Sequence, residues 1–228
     1  MARQVQSLGL TQIELCGVHA NFHDQPSWMG VVETYKTAGV TIVSLGVETL
    51  VGDKSERDIF QCAASAGARH ISVHFKVDSF RPAIEQARRL SDEFGVRVGI
   101  HCHGGYMFGG QPDVLDYLIS LGSPQIGLCI DTAWCMQIGP ERGKPVEWVE
   151  TYAGHIYGVH FKDFIFSQNG QWKDTVIGQG NLNLPAFIHA LNRTGFDGVA
   201  ILEYEGDPES PLPALHECVR AIAETPAA

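Results

Sequence analysis

Positive charge is scarce in this chain: 16 Lys and Arg stand against 26 Asp and Glu, a formal net charge of −10. That balance argues against a nucleic-acid or anionic-membrane partner, since both need a net positive face. It leaves a phosphorylated small molecule open, because one Lys and a helix N-terminus hold a phosphate locally. Paired cysteines are also absent. Cys16, Cys62, Cys102, Cys129, Cys135 and Cys218 form no CxxC motif, and several lie inside apolar runs. They read as small core residues in a reducing compartment. No apolar stretch has membrane-spanning length, and the start MARQVQSLGL lacks the continuous apolar core of a signal peptide. The expectation is a soluble cytoplasmic protein with no membrane partner. At 228 residues the chain fits a single domain, residues 1–228. A chain of this size buries roughly 70% of its unfolded surface and needs no disulfide for stability.

What is present is a repeated alternation. Short apolar or β-branched runs occur at Gln12–Cys16, Thr41–Gly46, His70–Phe75, Arg97–Cys102, Ile126–Asp131, Gly158–Lys162 and Val199–Tyr204. Each has the length of a buried parallel strand. Amphipathic segments such as Phe80–Glu93, Pro112–Leu121 and Leu184–Arg193 lie between them, and Gly39, Gly67, Gly95 and Gly195 stand where helices stop. The polar strand ends Glu14, Ser44, His74, His101, Asp131 and His160 recur about every 30 residues, one βα unit. The interval to Glu203 is longer and holds Ser167–Gly180, a polar, glycine-rich segment expected to be an irregular functional loop.

Such alternation specifies a TIM barrel or a doubly wound sheet. No GxGxxG follows an early strand, and polar residues collect at the C-terminal strand ends, where barrel active sites form. The fold class is therefore α/β, a TIM (β/α) barrel. Seven strands are visible, and Met1–Gly9 reads as a helix tail ahead of the first, so the first barrel strand is missing from the N-terminus. A late start, a truncated gene and an unusual closure all account for that.

Strand parity then selects the chemistry. His101 and His103 share a face with Gly99, Asp131 with Cys129, and His160 with Lys162; Glu203 points away from Leu202 and Tyr204. Taken alone, each is an ordinary polar strand end. Together, four consecutive strands present His101, Asp131, His160 and Glu203 at matching heights. Imidazoles and carboxylates converging in a cleft suit a divalent ion, with Mn²⁺, Co²⁺ or Zn²⁺ preferred over Mg²⁺, which favours oxygen ligands.

The runs Gly99-Ile-His101-Cys-His103-Gly104-Gly105, Ile130-Asp131-Thr-Ala-Trp134, Val159-His160-Phe-Lys162-Asp163, Gly178-Gln-Gly180 and Ile201-Leu-Glu203 resemble those of the xylose-isomerase-like barrel superfamily. The likeness is to the sugar phosphate isomerase/epimerase branch, which includes tagatose epimerases, hydroxypyruvate isomerases and inosose dehydratases. The resemblance implies a metal held by His101, Asp131, His160 and Glu203. It also implies a keto-sugar or sugar-phosphate substrate and, as is common in the superfamily, a homodimer. Where many epimerases carry a second glutamate base, this chain has His101, and the His101-x-His103 and Trp134 pattern looks like the inosose dehydratases.

With a metal chelating a ketone and its neighbouring hydroxyl, Glu203 is the candidate base for the α-proton. Lys162 is expected to stabilise the developing oxyanion, although a solvated strand-end lysine explains it nearly as well. His101 is counted with these catalytic residues as well as among the ligands. His74, His103, Trp134, Glu14 and Trp172 are candidate substrate contacts, with His19 a weaker one; His23, His70, His155, His189 and His216 read as structural or surface residues. Proton return gives isomerisation or epimerisation, while expulsion of a β-hydroxyl gives dehydration. The function expected first is a metal-dependent isomerase or epimerase, then a dehydratase, and then a non-catalytic or accessory truncated barrel. An abasic-site endonuclease, a further superfamily relative, is opposed by the acidic balance.

Overall fold

A computed structural model of the chain describes residues 1–103 and 108–226; the motif glycines Gly104 and Gly105 lie outside the described residues. In chain order the elements are α1 (Ala2–Ser7), β1 (Gln12–Leu15), α2 (Gln25–Thr37), β2 (Thr41–Leu50), α3 (Glu56–Ala66), β3 (His70–Phe75), α4 (Phe80–Phe94), β4 (Arg97–His101) and α5 (Pro112–Gly122). There follow β5 (Ile126–Asp131), α6 (Thr132–Gln137), α7 (Pro145–Thr151), β6 (Ile156–Phe161), β7 (Asp163–Phe166), β8 (Trp172–Thr175), α8 (Leu184–Arg193), β9 (Val199–Leu202) and α9 (Leu212–Glu224).

The local chemistry explains these boundaries. α4 places Ala83, Ile84, Ala87 and Leu90 on one buried stripe, the i, i+3/i+4 spacing that a helix turns into a face. Gly95 ends it in the left-handed conformation, at φ 68°, which a side chain resists. The central strands are buried on both faces, one turned to the barrel interior and the other covered by helices. β5, for example, has every residue buried. Each fully buried Leu or Ile on the helix-facing side contributes roughly 1.5–3 kcal/mol.

Seven strands form one parallel sheet in the order β1-β2-β3-β4-β5-β6-β9 and curl into a nearly closed barrel. β1 and β9 are its two unpaired edges. Across the seam lies an apolar groove of about 590 Å³, lined by Ile13 and Leu10 on one side, Ile201 and Leu202 on the other, and backed by Val5 of α1 and Leu215 of α9.

The segment Ser167–Gly180, expected to be irregular, instead contributes β8, which pairs antiparallel with β7 to set Trp172 opposite Phe166. Alternation does not announce β8, because Trp172 shares its face with Asp174, which lies 3.9 Å from Lys162 Nζ. Asp163 anchors this hairpin. Its Oδ2 accepts from the backbone N–H of Gly178 and of Gly180 at 3.0 Å, and its Oδ1 from that of Leu182 at 2.9 Å.

The barrel interior is polar at mid-height. Ser72, Cys129, Ser44 and His70 are buried there alongside Glu14. Gly158 is required at this level: a Cβ on it would lie 2.5 Å from His70 Nε2.

Candidate functional site

The site lies above this layer, at the C-terminal ends of β4, β5, β6 and β9. Asp131 ends β5 and caps α6: its Oδ1 accepts from the Trp134 N–H at 2.8 Å, which leaves Oδ2 free to face His101 Nε2 at 3.5 Å. Lys162 follows β6, and its backbone is pinned by Thr132 of α6, whose hydroxyl accepts from the Lys162 N–H at 3.0 Å. Glu203 lies one residue past β9, and its N–H continues the ladder to the Phe161 carbonyl at 3.0 Å.

The parity expectation holds in space. His101, Asp131, His160 and Glu203 each offer a ligand atom, and these atoms all lie within 4.8 Å of one another. Their side chains are 4%, 0%, 4% and 29% exposed, so only Glu203 meets solvent to any degree. His160 Nδ1 stands 2.8 Å from Glu203 Oε2, and His160 Nε2 stands 2.9 Å from Glu14 Oε1. Neither oxygen lies along a ring N–H direction. Both nitrogens of His160, both of His101, Asp131 Oδ2 and Glu203 Oε2 are therefore buried without a hydrogen-bond partner. Buried polar atoms are normally satisfied, so a convergent set of orphaned ligand atoms fits a cation. Two imidazoles and two carboxylates are a fitting donor set.

The electrostatics of the rim are dominated by Lys162, which is fully buried. Its Nζ lies 2.9 Å from Glu203 Oε1 and 3.9 Å from Asp174, contacts Glu205, and sits over the Phe164 ring at 5.9 Å. Burial works against the ammonium, but Glu203, Asp131 and Glu205 raise it well above the usual lysine range. The reading of Lys162 as a solvated strand-end residue is thus corrected. Burial also favours a neutral Glu203, yet His160 and then Lys162 hold its carboxyl well below the usual carboxylate range. Asp174, by contrast, is pushed up to about 6 by burial.

The candidate substrate contacts divide. His74, His103, Trp134 and Trp172 form a wall beside the ligand cluster. His103 stacks on Trp134 at 3.7 Å, Trp172 meets Trp134 edge-on at 5.3 Å, and His74 lies 5.2 Å from His101, ring centre to ring centre. Burial, then His101 and His103, lower His74 to about 3, so its ring is neutral. Glu14 sits elsewhere. It lies within β1 and below the cluster, 6% exposed, accepting from Ser72 Oγ at 2.8 Å. Burial favours its neutral form, but His160 overrides this and brings it down to about 2. Asp174, Glu205 and Ser72 escaped the sequence reading. The alternation His70-Ile-Ser72-Val-His74 would have put Ser72 and His70 on the inner face; Asp174 and Glu205 carry no comparable signal.

The profile of the xylose isomerase-like TIM barrel family matches residues 2–222, and the chain belongs to that family. The chain is 28% identical over 194 residues to the rhizopine catabolism protein MocC of Rhizobium meliloti, covering 74% of this chain and 58% of that protein. It is 27% identical over 158 residues to the inosose dehydratase of Lacticaseibacillus casei, covering 61% of this chain and 52% of that one. The chain thus spans between half and three-fifths of the length of these curated relatives. The 3-keto-D-glucoside 4-epimerase of E. coli superposes with a TM-score of 0.75 over 97% of this chain and 92% of that one, at 14% identity, a likeness of fold. Among the described residues no helix is long and apolar enough to cross a membrane.

Proposed function

We propose that this chain is a divalent-metal-dependent isomerase or epimerase that acts on a keto-sugar or sugar phosphate by removing the proton next to the ketone. The observation that carries the reading is the convergence of orphaned, buried ligand atoms from His101, Asp131, His160 and Glu203. Those four residues would hold Mn²⁺, Co²⁺ or Zn²⁺. When bound, such an ion supplies a Lewis-acid charge at the ketone and its neighbouring hydroxyl, which acidifies the α-proton.

The rest falls to the side chains. Glu203, ionised throughout the physiological range, accepts the α-proton, and substrate is left as an enediolate. A carboxylate held this acidic is a weak base, so the reaction depends on the substrate proton being acidified. Lys162 serves two ends: it holds Glu203 by one oxygen, and it keeps positive charge at the mouth where oxyanion character develops. The Trp134 and Trp172 faces exclude water and offer apolar surface to a sugar ring. His74, kept neutral by burial and its histidine neighbours, offers a hydrogen bond to a hydroxyl, and His103 lines the same wall.

A second reading, dehydration of a cyclic keto-polyol, draws on the His103–Trp134 wall, on the His101-x-His103 sequence and on the named function of the Lacticaseibacillus casei relative. Elemental mass spectrometry of the purified wild type beside His160→Ala tests the metal: near one ion per chain, lost in the variant, is expected. Incubation with keto-sugars in deuterated water then separates the reactions. Solvent deuterium incorporated without water loss marks isomerisation or epimerisation, whereas a dehydrated product marks the second reading. A protein that takes up none of Mn²⁺, Co²⁺ and Zn²⁺ on dialysis would refute both.

A further inference from the structure

Glu14 is a carboxylate that the chemistry above does not use. It is buried on β1, and a buried carboxylate needs partners. Its Oε2 accepts from Ser72 Oγ at 2.8 Å, and His70 Nε2 lies 3.7 Å from the same oxygen. Its Oε1 lies 2.9 Å from His160 Nε2, while the opposite ring nitrogen, Nδ1, lies 2.8 Å from Glu203 Oε2. The His160 ring is thus held between two carboxylates, one inside the ligand cluster and one beneath it.

We infer that Glu14 is a positioning residue: it sets the orientation and tautomer of His160, so that Nδ1 presents its lone pair to the ion and Nε2 keeps the proton. A neutral imidazole has one N–H and one lone pair, and only the lone pair ligates. A carboxylate against the far nitrogen selects the ligating tautomer and raises ligand basicity. Ser72 fixes Glu14 in turn, so the arrangement spans β1, β3 and β6. At 2.9 Å, Oε1 is near enough to accept the Nε2 proton after a small turn of the ring. This role rests on the metal-centre reading proposed above, and it separates Glu14 from the residues that face substrate.

The test is calorimetric titration of Zn²⁺ into wild type, Glu14→Gln, Glu14→Ala, Ser72→Ala and His160→Ala, with proton NMR of the zinc-loaded proteins. Glu14→Ala is expected to bind Zn²⁺ roughly 10–100-fold more weakly, the usual cost of removing such a partner. Glu14→Gln, which keeps the volume and an acceptor oxygen, is expected to lose less than Glu14→Ala, and Ser72→Ala less again. In the wild type the His160 Nε2 proton should be low-field and slow to exchange; it should move upfield in Glu14→Gln, a change that a merely structural role would not produce. Wild-type affinity in both Glu14 variants with an unmoved proton would overturn the role of Glu14 while leaving the metal centre intact. Failure of the wild type itself to bind Zn²⁺ would bring down the metal centre and this role together. Should Glu14→Ala not fold, Glu14→Gln decides the matter.

Discussion

Asp131 and Asp163 are both fully buried aspartates at strand ends, Asp131 closing β5 and Asp163 opening β7. Asp163 spends both oxygens on the backbone, accepting from Gly178, Gly180 and Leu182. Asp131 spends one oxygen on the Trp134 N–H and leaves the other without a partner, facing His101. The same side chain is a structural clasp in one place and a candidate ligand in the other. What separates them is satisfaction: a clasp has no valence left over, and a ligand must keep one.

The sharpest way to probe that contrast is to remove each acid in turn. Asp163→Ala strands three backbone N–H groups and releases the β7–β8 hairpin, with an expected loss on the order of 4 kcal/mol in urea unfolding. A loss within 1 kcal/mol, roughly the value of a single hydrogen bond, would erase the distinction. Asp131→Ala should do the reverse. Stability without metal should change by no more than about 1 kcal/mol, because a half-satisfied buried charge is removed. Zn²⁺ affinity measured by calorimetry should fall at least about 100-fold, roughly 2.7 kcal/mol.

Acidification comes next in size. His70 is lowered to about 4 by burial, and His74 to about 3 by burial and its histidine neighbours, so both are neutral in the folded chain where the unfolded chain is protonated. For a depressed histidine, the unfolded state binds the extra proton below pH 6.5, so stability falls as pH drops from about 6.5 toward 4. Glu14, lowered to about 2, adds a further loss below pH 4.5 by the carboxylate rule. Asp174, raised to about 6, works in the opposite direction and softens the slope. Thermal melts between pH 7 and pH 4 should show a steady decline, which His70→Asn flattens; a flat wild-type profile would contradict the burial of these rings as neutral species. The smallest effect belongs to Trp172, which is 44% exposed. Trp172→Ala should leave stability within about 0.5 kcal/mol. It should raise KM for a keto-sugar several-fold with little change in kcat, as expected for a stacking face that binds substrate and transition state alike.

Much of the barrel was legible because its signals are local. The seven sheet strands fall where the apolar runs stand, with β3 and β5 matched end to end. β2 runs on to Leu50 because Glu48 and Thr49, though polar, pair with Val73 and His74 of β3. The hairpin at β7 and β8 was missed for a related reason: its pattern mixes Trp172, Lys173, Asp174 and Thr175, and only the pairing with β7 makes a strand of it. Glu14 was the harder case. β1 is four residues long, too short for its own alternation to say which face is the interior.

By itself, the sequence determined the βα period and the shared parity of the strand ends that carry His101, Asp131, His160 and Glu203, because side-chain direction in a strand follows from a two-residue repeat. Only the tertiary structure decided which polar atoms have partners. That Lys162 sits among Glu203, Glu205 and Asp174, that Asp163 is saturated and Asp131 is not, and that Glu14 lies beneath His160 all depend on distances between residues from different strands. Curvature of the sheet sets those distances, and no local pattern encodes them.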